Sequence, residues 1–146
     1  NYIQKKLIDI NYHIYGSPKY LEKNGFPKNT SDLNKHSFIS FGRGAPSPVY
    51  NPDWALKLGT KDNKKRKTVM KVNSVYGLLL AVQSGVGLAA LPDYITVNQP
   101  NIVKVLPNIE GPITEAHFVY PQSMKNVARV QAFRNFLYSK ISEWEF

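Results

Sequence analysis

The stretch that opens with Val72-Asn73-Ser74 and closes on Gly85-Val86-Gly87-Leu88-Ala89-Ala90-Leu91-Pro92-Asp93 constrains the fold more than any isolated polar residue. Gly77 to Gln83 reads as a largely buried helix, with Ser74 as N-cap and Gly85 as the left-handed residue that ends it. Val86 to Leu91 is a continuous apolar run, the pattern of a strand covered on both faces. Pro92-Asp93 suits the first turn of a further helix, where proline's missing N–H and fixed φ cost nothing. The unit is strand, helix, strand, and the fold class is α/β.

The glycines in this run do not read as a phosphate loop. A dinucleotide fingerprint places its glycines after a strand and before a helix, so that the pyrophosphate meets free N–H groups. Here the helix comes first, and Gly85 and Gly87 form a tight connection into the next strand.

These residues resemble the C-terminal effector-binding domain of LysR-type transcriptional regulators. Three further segments match in the family's order: Tyr15-Gly16-Ser17-Pro18-Lys19-Tyr20-Leu21 with Gly25 and Pro27; Ser31-Asp32-Leu33 with His36; and Phe118-Val119-Tyr120-Pro121 followed by Val130 to Leu137. The resemblance implies a periplasmic-binding-protein type II-like α/β fold, a mixed sheet flanked by helices. On that reading residues 14–112 form the second regulatory lobe, and residues 1–13 and 113–146 are the remaining part of an incomplete first lobe. The chain is then expected to be an N-terminally truncated fragment, without the winged helix-turn-helix that reads DNA. Family membership further implies a small-molecule effector bound between lobes, a homodimer or tetramer in the parent protein, and DNA contact only through an absent N-terminal domain.

Composition bounds the alternatives. A chain of 146 residues with 42% apolar content can bury a core, and it has no cysteine for disulfides or thiolate metal sites. No apolar run approaches a membrane span, and Lys5-Lys6-Leu7-Ile8-Asp9 is no signal peptide. The expected location is the cytoplasm. Much of the net charge of +9 lies in Lys61-Asp62-Asn63-Lys64-Lys65-Arg66-Lys67, between the alternating segments Trp54 to Leu58 and Thr68 to Val72. That run reads as a solvated hairpin tip; no aromatic residue interleaves with it, so its attraction for DNA is weak, salt-sensitive and non-specific.

The remaining chain divides into short elements. Lys6 to Tyr15 alternates as a strand, Ser17-Pro18 starts a helix stopped by Gly25, Thr30 to Asn34 is a helical turn, and Phe38 to Phe41 is a strand. Residues 42–53 hold two glycines and three prolines and form an irregular loop, the expected mobile segment. Ile102 to Leu106 and Thr114 to Tyr120 are strands on either side of the Gly111-Pro112 turn. Asn126 to Ile141 carries apolar residues at amphipathic-helix spacing.

No catalytic constellation emerges. His13, His36 and His117 have no metal-ligand spacing, and the sequence shows no nucleophile elbow, phosphate loop or carboxylate pair. The expectation is a binding domain without cofactor, metal or enzymatic activity. The alternatives are a free-standing solute-binding module and a small α/β enzyme. In open α/β sheets ligands sit beyond the carboxyl ends of strands. Two such places, Ser40-Phe41-Gly42 and Asn73-Ser74-Val75, make Ser40, Phe41, Asn73 and Ser74 the candidate effector-binding residues. Ser17, ending the first crossover strand, is expected to reach the hinge side of the same cleft. The helix start after Asn73 suits a carboxylate or other small anion, so the expected effector is anionic. Each residue also has a purely structural role: Ser17 and Ser74 as caps, Asn73 in a turn, Phe41 in the core.

Overall fold

The computed structural model describes residues 1–42 and 51–144. Most of the irregular loop expected over residues 42–53 therefore lies outside the described residues. The chain divides into two compact units, one of residues 1–10 with 114–146 and the other of Asn11–Ile113.

In the first unit, β1 (Tyr2–Ile10) pairs antiparallel with β7 (Thr114–Pro121). Thr114, Ala116, Phe118 and Tyr120 alternate with the exposed Glu115, His117 and Val119, the two-residue period of a strand covered on one face. Helix α5 (Ala128–Ser142) follows, and its Tyr138 hydroxyl donates to the Lys6 carbonyl at 2.9 Å. The Phe133 ring stands edge-on to Phe118, with centroids 5.9 Å apart.

The second unit is built on a mixed sheet. Strand β2 (Tyr12–Gly16) lies between β5 (Ala89–Pro92) and β6 (Val103–Val105), antiparallel to both. Strands β3 (Phe38–Phe41) and β4 (Thr68–Val72) pair in parallel. Leu88 joins the two sets through a parallel bridge to Phe38, with Leu88 N–H donating to the Ser37 carbonyl and Ile39 N–H to the Leu88 carbonyl, each at 2.8 Å. The strand order is thus β4-β3-β5-β2-β6. Helix α3 (Val75–Gln83) makes the crossover from β4 to β5.

Neighbouring residues on these strands divide between two cores. Ile14, Phe38 and Leu88 pack with Leu21, Leu33 and Leu56 on one side, and Tyr15, Ile39 and Ala89 pack with Leu78, Leu79 and Val82 on the other. Successive side chains of a strand point to opposite faces, so both faces are covered, and this is why the run up to Leu91 is apolar without interruption.

Local signals behave as their chemistry dictates. Ser17 caps α1 (Pro18–Asn24), its Oγ accepting from Tyr20 N–H at 3.2 Å, and Gly25 follows at φ +89°. Ser74 Oγ accepts from Gly77 N–H at 3.3 Å, and Gly85 turns the chain at φ +81°. Asp93 opens the short helix α4 (Asp93–Thr96) directly after Pro92.

Two expectations are corrected. The single strand read over Lys6 to Tyr15 is two strands interrupted at Asn11, one in each unit. Alternation cannot reveal that break, because both pieces keep the same period. Trp54 to Leu58 is not a strand: Trp54–Lys57 forms the helical turn α2, and β4 takes β3 as its partner instead of closing a hairpin. Five residues are too few to separate the two periods, and burial of Ala55 and Leu56 in the core favours the helical turn. The basic run is accordingly no hairpin tip. Arg66 reaches the carbonyls of Ala55 and Thr30 at 3.1 and 3.4 Å and lies 5.5 Å above the Phe38 ring, while Lys65 pairs with Asp53.

Candidate functional site

Strands β3 and β4 run parallel and end together: Phe41 lies opposite Val72, and Gly42 N–H donates to the Val72 carbonyl at 2.8 Å. The β4 chain then turns through Asn73 and Ser74 into α3. A Cβ placed on Gly42 would lie 3.6 Å from that of Asn73, so the two strand exits are in contact.

A narrow pocket opens at this edge. It is lined by Phe38 to Phe41 of β3, Trp54, Ala55 and Leu56 of α2, Val75 and Leu78 of α3, Ala90 and Pro92 of β5, and Tyr12 and Pro52. The space a water-sized group can occupy inside it is about 30 Å³. No described lining residue is charged. Ser40 is 7% exposed. Among the described residues the Trp54 indole N–H is buried without a partner, beside the close approach of Gly111.

The structure brings four of the five candidate residues to this edge. Ser40 and Phe41 line the pocket, and Asn73 and Ser74 are exposed at the α3 start beside it. Ser17 is not among them. β2 is antiparallel to β5, so Ser17, just beyond its C-terminal residue Gly16, lies at the opposite end of that strand from Tyr12, which lines the pocket. There Ser17 is 1% exposed and engaged as the α1 cap.

At the Pro92 end of β5 the structure holds a buried polar cluster that sequence reading does not reveal. Asp93 is 5% exposed, and its carboxylate pairs with His13 Nδ1 at 2.8 and 2.9 Å. It also accepts from the Tyr15 hydroxyl at 2.8 Å and from Lys104 Nζ at 3.0 Å. Asp93 N–H donates to the Asn11 carbonyl at 3.0 Å, so the residue grips the β2 entry through main chain and side chain alike. Burial pushes the Tyr15 hydroxyl well above the usual phenol range, a hydrogen bond from Thr96 opposes this, and the Asp93 contact adds to it. His36, its ring tilted against Tyr20 with centroids 5.7 Å apart, is held below the ordinary imidazole value by burial, with Asp32 opposing the effect and Lys35 adding to it.

A wider polar depression of about 400 Å³ is lined by Lys19, Tyr20, Lys23, Asn24, Ser84 and Gly85, on the Ser17 side of the unit. Among the described residues there is no group of three or more His, Cys, Asp or Glu that could hold a metal ion, and no helix is long and apolar enough to cross a membrane.

A mixed sheet covered by helices on both faces, with a pocket at the carboxyl ends of its parallel strands, defines an α/β domain of the periplasmic-binding-protein type II-like class. Within that class the chain belongs to the LysR substrate binding domain family, whose model matches residues 1–141. It is 30% identical over 123 residues to an HTH-type transcriptional regulator of Haemophilus influenzae, an alignment covering 82% of this chain and 41% of that protein. The chain thus spans well under half the length of that curated relative. Its fold is similar to the regulatory domain of CrgA, a LysR-type regulator of Neisseria meningitidis, with TM-score 0.78, 22% identity and coverage of 96% of this chain and 69% of that one. It is similar also to the effector domain of AmpR from Pseudomonas aeruginosa, with TM-score 0.70, 18% identity and coverage of 97% and 66%.

Proposed function

We propose that this chain is the effector-binding region of a LysR-type transcriptional regulator, that residues 14–112 act as its second regulatory lobe, and that residues 1–13 and 113–146 belong to the first. The parent protein is a cytoplasmic homodimer or tetramer that reaches DNA through an N-terminal winged helix-turn-helix, and this region binds a small anionic effector without turning it over. The observation that carries this reading is the match of the LysR substrate binding domain model to residues 1–141, together with a pocket lined by Ser40 and Phe41 at the joint exit of β3 and β4. The effector controls transcription only through a difference in its affinity for two arrangements of the parent protein.

The test is made in the full-length regulator. Phe41→Ala and Ser40→Ala should abolish the transcriptional response to the inducing condition while operator affinity and thermal unfolding stay close to wild type. An undiminished response in both variants, with both folded, would move the effector site elsewhere.

A further inference from the structure

We propose that the exposed lysines between α2 and β4 form a docking surface for the phosphate backbone of duplex DNA, one that reads charge and not base sequence. The surface acts whether or not the pocket holds an effector.

Between Thr60 and Thr68 the chain holds Lys61, Lys64, Lys65, Arg66 and Lys67 and no apolar residue. A run of this kind is ordinarily a solvated face whose charges move independently. Here the fold fixes it. The Arg66 guanidinium is turned inward, donating to the carbonyls of Ala55 and Thr30 and to Asn34 Oδ1 at 3.1, 3.4 and 3.0 Å, above the Phe38 ring. Its backbone N–H donates to the Leu56 carbonyl at 2.9 Å. A Cβ on Gly59 would stand 2.6 Å from the Thr30 carbonyl oxygen, so the segment lies tight against the turn that leads to Lys35.

Around that anchor Lys57, Lys61, Lys64 and Lys67 are exposed. Among the described residues none of these four enters an ion pair, whereas Lys65 is held by Asp53. Asp32, on the neighbouring turn, accepts from the backbone N–H groups of Lys28 and Asn29, and Asp62 is the single carboxylate within the run. The result is a fixed cationic surface with little local compensation.

The chemistry of the surface selects its partner. Cores of protein interfaces favour aromatic residues and arginine and are depleted in lysine, so this surface offers a protein no anchor. Each lysine ammonium is a point charge suited to phosphate, and neutralising a phosphate releases a condensed counterion. The run holds only the short turn Lys61–Asn63, with no helix or two-stranded ribbon to enter a major groove, so base edges go unread. It also holds no aromatic ring on which unpaired bases stack, which favours duplex over single strand.

Fluorescence anisotropy tests the surface, with this chain titrated into a labelled duplex of arbitrary sequence, about 30 base pairs long, between about 50 and 200 mM salt. Log affinity should fall linearly with log salt. The triple variant Lys61→Gln, Lys64→Gln, Lys67→Gln should make that slope shallower by about 2 to 3 and bind at least about tenfold more weakly at the lowest salt. Lys5→Gln, Lys19→Gln, Lys125→Gln removes the same charge from exposed positions elsewhere and should stay close to wild type. Equal losses in the two triple variants would assign the attraction to net charge and overturn the surface. Polyglutamate that competes as well as duplex at equal charge would replace DNA with an acidic protein partner, and no binding at the lowest salt would remove both. Amine acylation of the wild-type chain needs no variant to fold: duplex should protect Lys61, Lys64 and Lys67 but not Lys5, Lys19 and Lys125, and the absence of that contrast would equally overturn the proposal.

Discussion

His13 and Asp93 lie 80 positions apart in sequence, yet Nδ1 of one stands 2.8 Å from a carboxylate oxygen of the other, with both side chains almost fully buried. Tyr15 and Lys104 complete the shell of that carboxylate, and Asp93 also holds the β2 entry at Asn11 through its backbone N–H. The pair therefore ties β2 to the start of α4 at the point where the chain enters the second unit.

Removing the carboxylate leaves buried donors unanswered. Asp93→Ala should lower the stability of the protein by about 3 kcal/mol, the usual cost of breaking a buried ion pair from one side. Urea unfolding monitored by far-UV circular dichroism measures this. A loss under about 1 kcal/mol would show that the cluster is not an anchor, since that is the range of exposed pairs.

Two groups give the protein opposite pH limits. Tyr15 has its folded value raised by burial, so the phenol of the unfolded chain ionises first, near its ordinary value of about 10. Its contribution is complete below that pH and is lost as pH rises toward the folded value. His36 has its folded value lowered, so its contribution is complete above about pH 6.5 and is lost as pH falls through the folded value. Urea midpoints should therefore fall at both ends. Tyr15→Phe should flatten the alkaline limb and His36→Gln the acid limb; unchanged slopes in these variants would assign the limbs to other groups.

Gly87 tests the joint between β3 and β5. A Cβ there would stand 2.6 Å from the Ser37 carbonyl oxygen, which accepts the Leu88 N–H that joins the two strand sets. Backbone cannot swing aside as a side-chain tip does, so Gly87→Ala should cost about 1–3 kcal/mol. Equilibrium unfolding reads the cost, and an unchanged midpoint would mean that the strands part at this point without penalty.

Ser17→Ala should separate capping from binding. Loss of the bond to Tyr20 N–H costs about 1 kcal/mol of stability, and the response of the full-length regulator to its inducing condition should persist, because Ser17 sits at the far end of β2 from the pocket. A folded variant that has lost the response would return Ser17 to the site.

The amino-acid sequence by itself determined the elements governed by neighbours a few residues apart. Ser17 and Ser74 reach amides only three positions on, Gly25 and Gly85 take up positive φ where two helices stop, and the apolar run through Leu91 specifies a strand buried on both faces. It also placed Ser40 and Phe41 at the end of a strand and Asn73 and Ser74 at the start of a helix, because both are visible as local patterns. Only the tertiary structure decided which segments meet. Pairing β4 with β3 made Trp54 to Lys57 a helical turn and put Trp54 and Leu56 into the pocket wall, and the antiparallel course of β2 carried Ser17 away from it. The Asp93 cluster draws on β2, α4 and β6, and no spacing along the chain encodes it. The physical reason is range: caps and periodicity are set by the backbone geometry of adjacent residues, whereas strand order, pockets and buried charge networks depend on contacts between residues that share no local pattern.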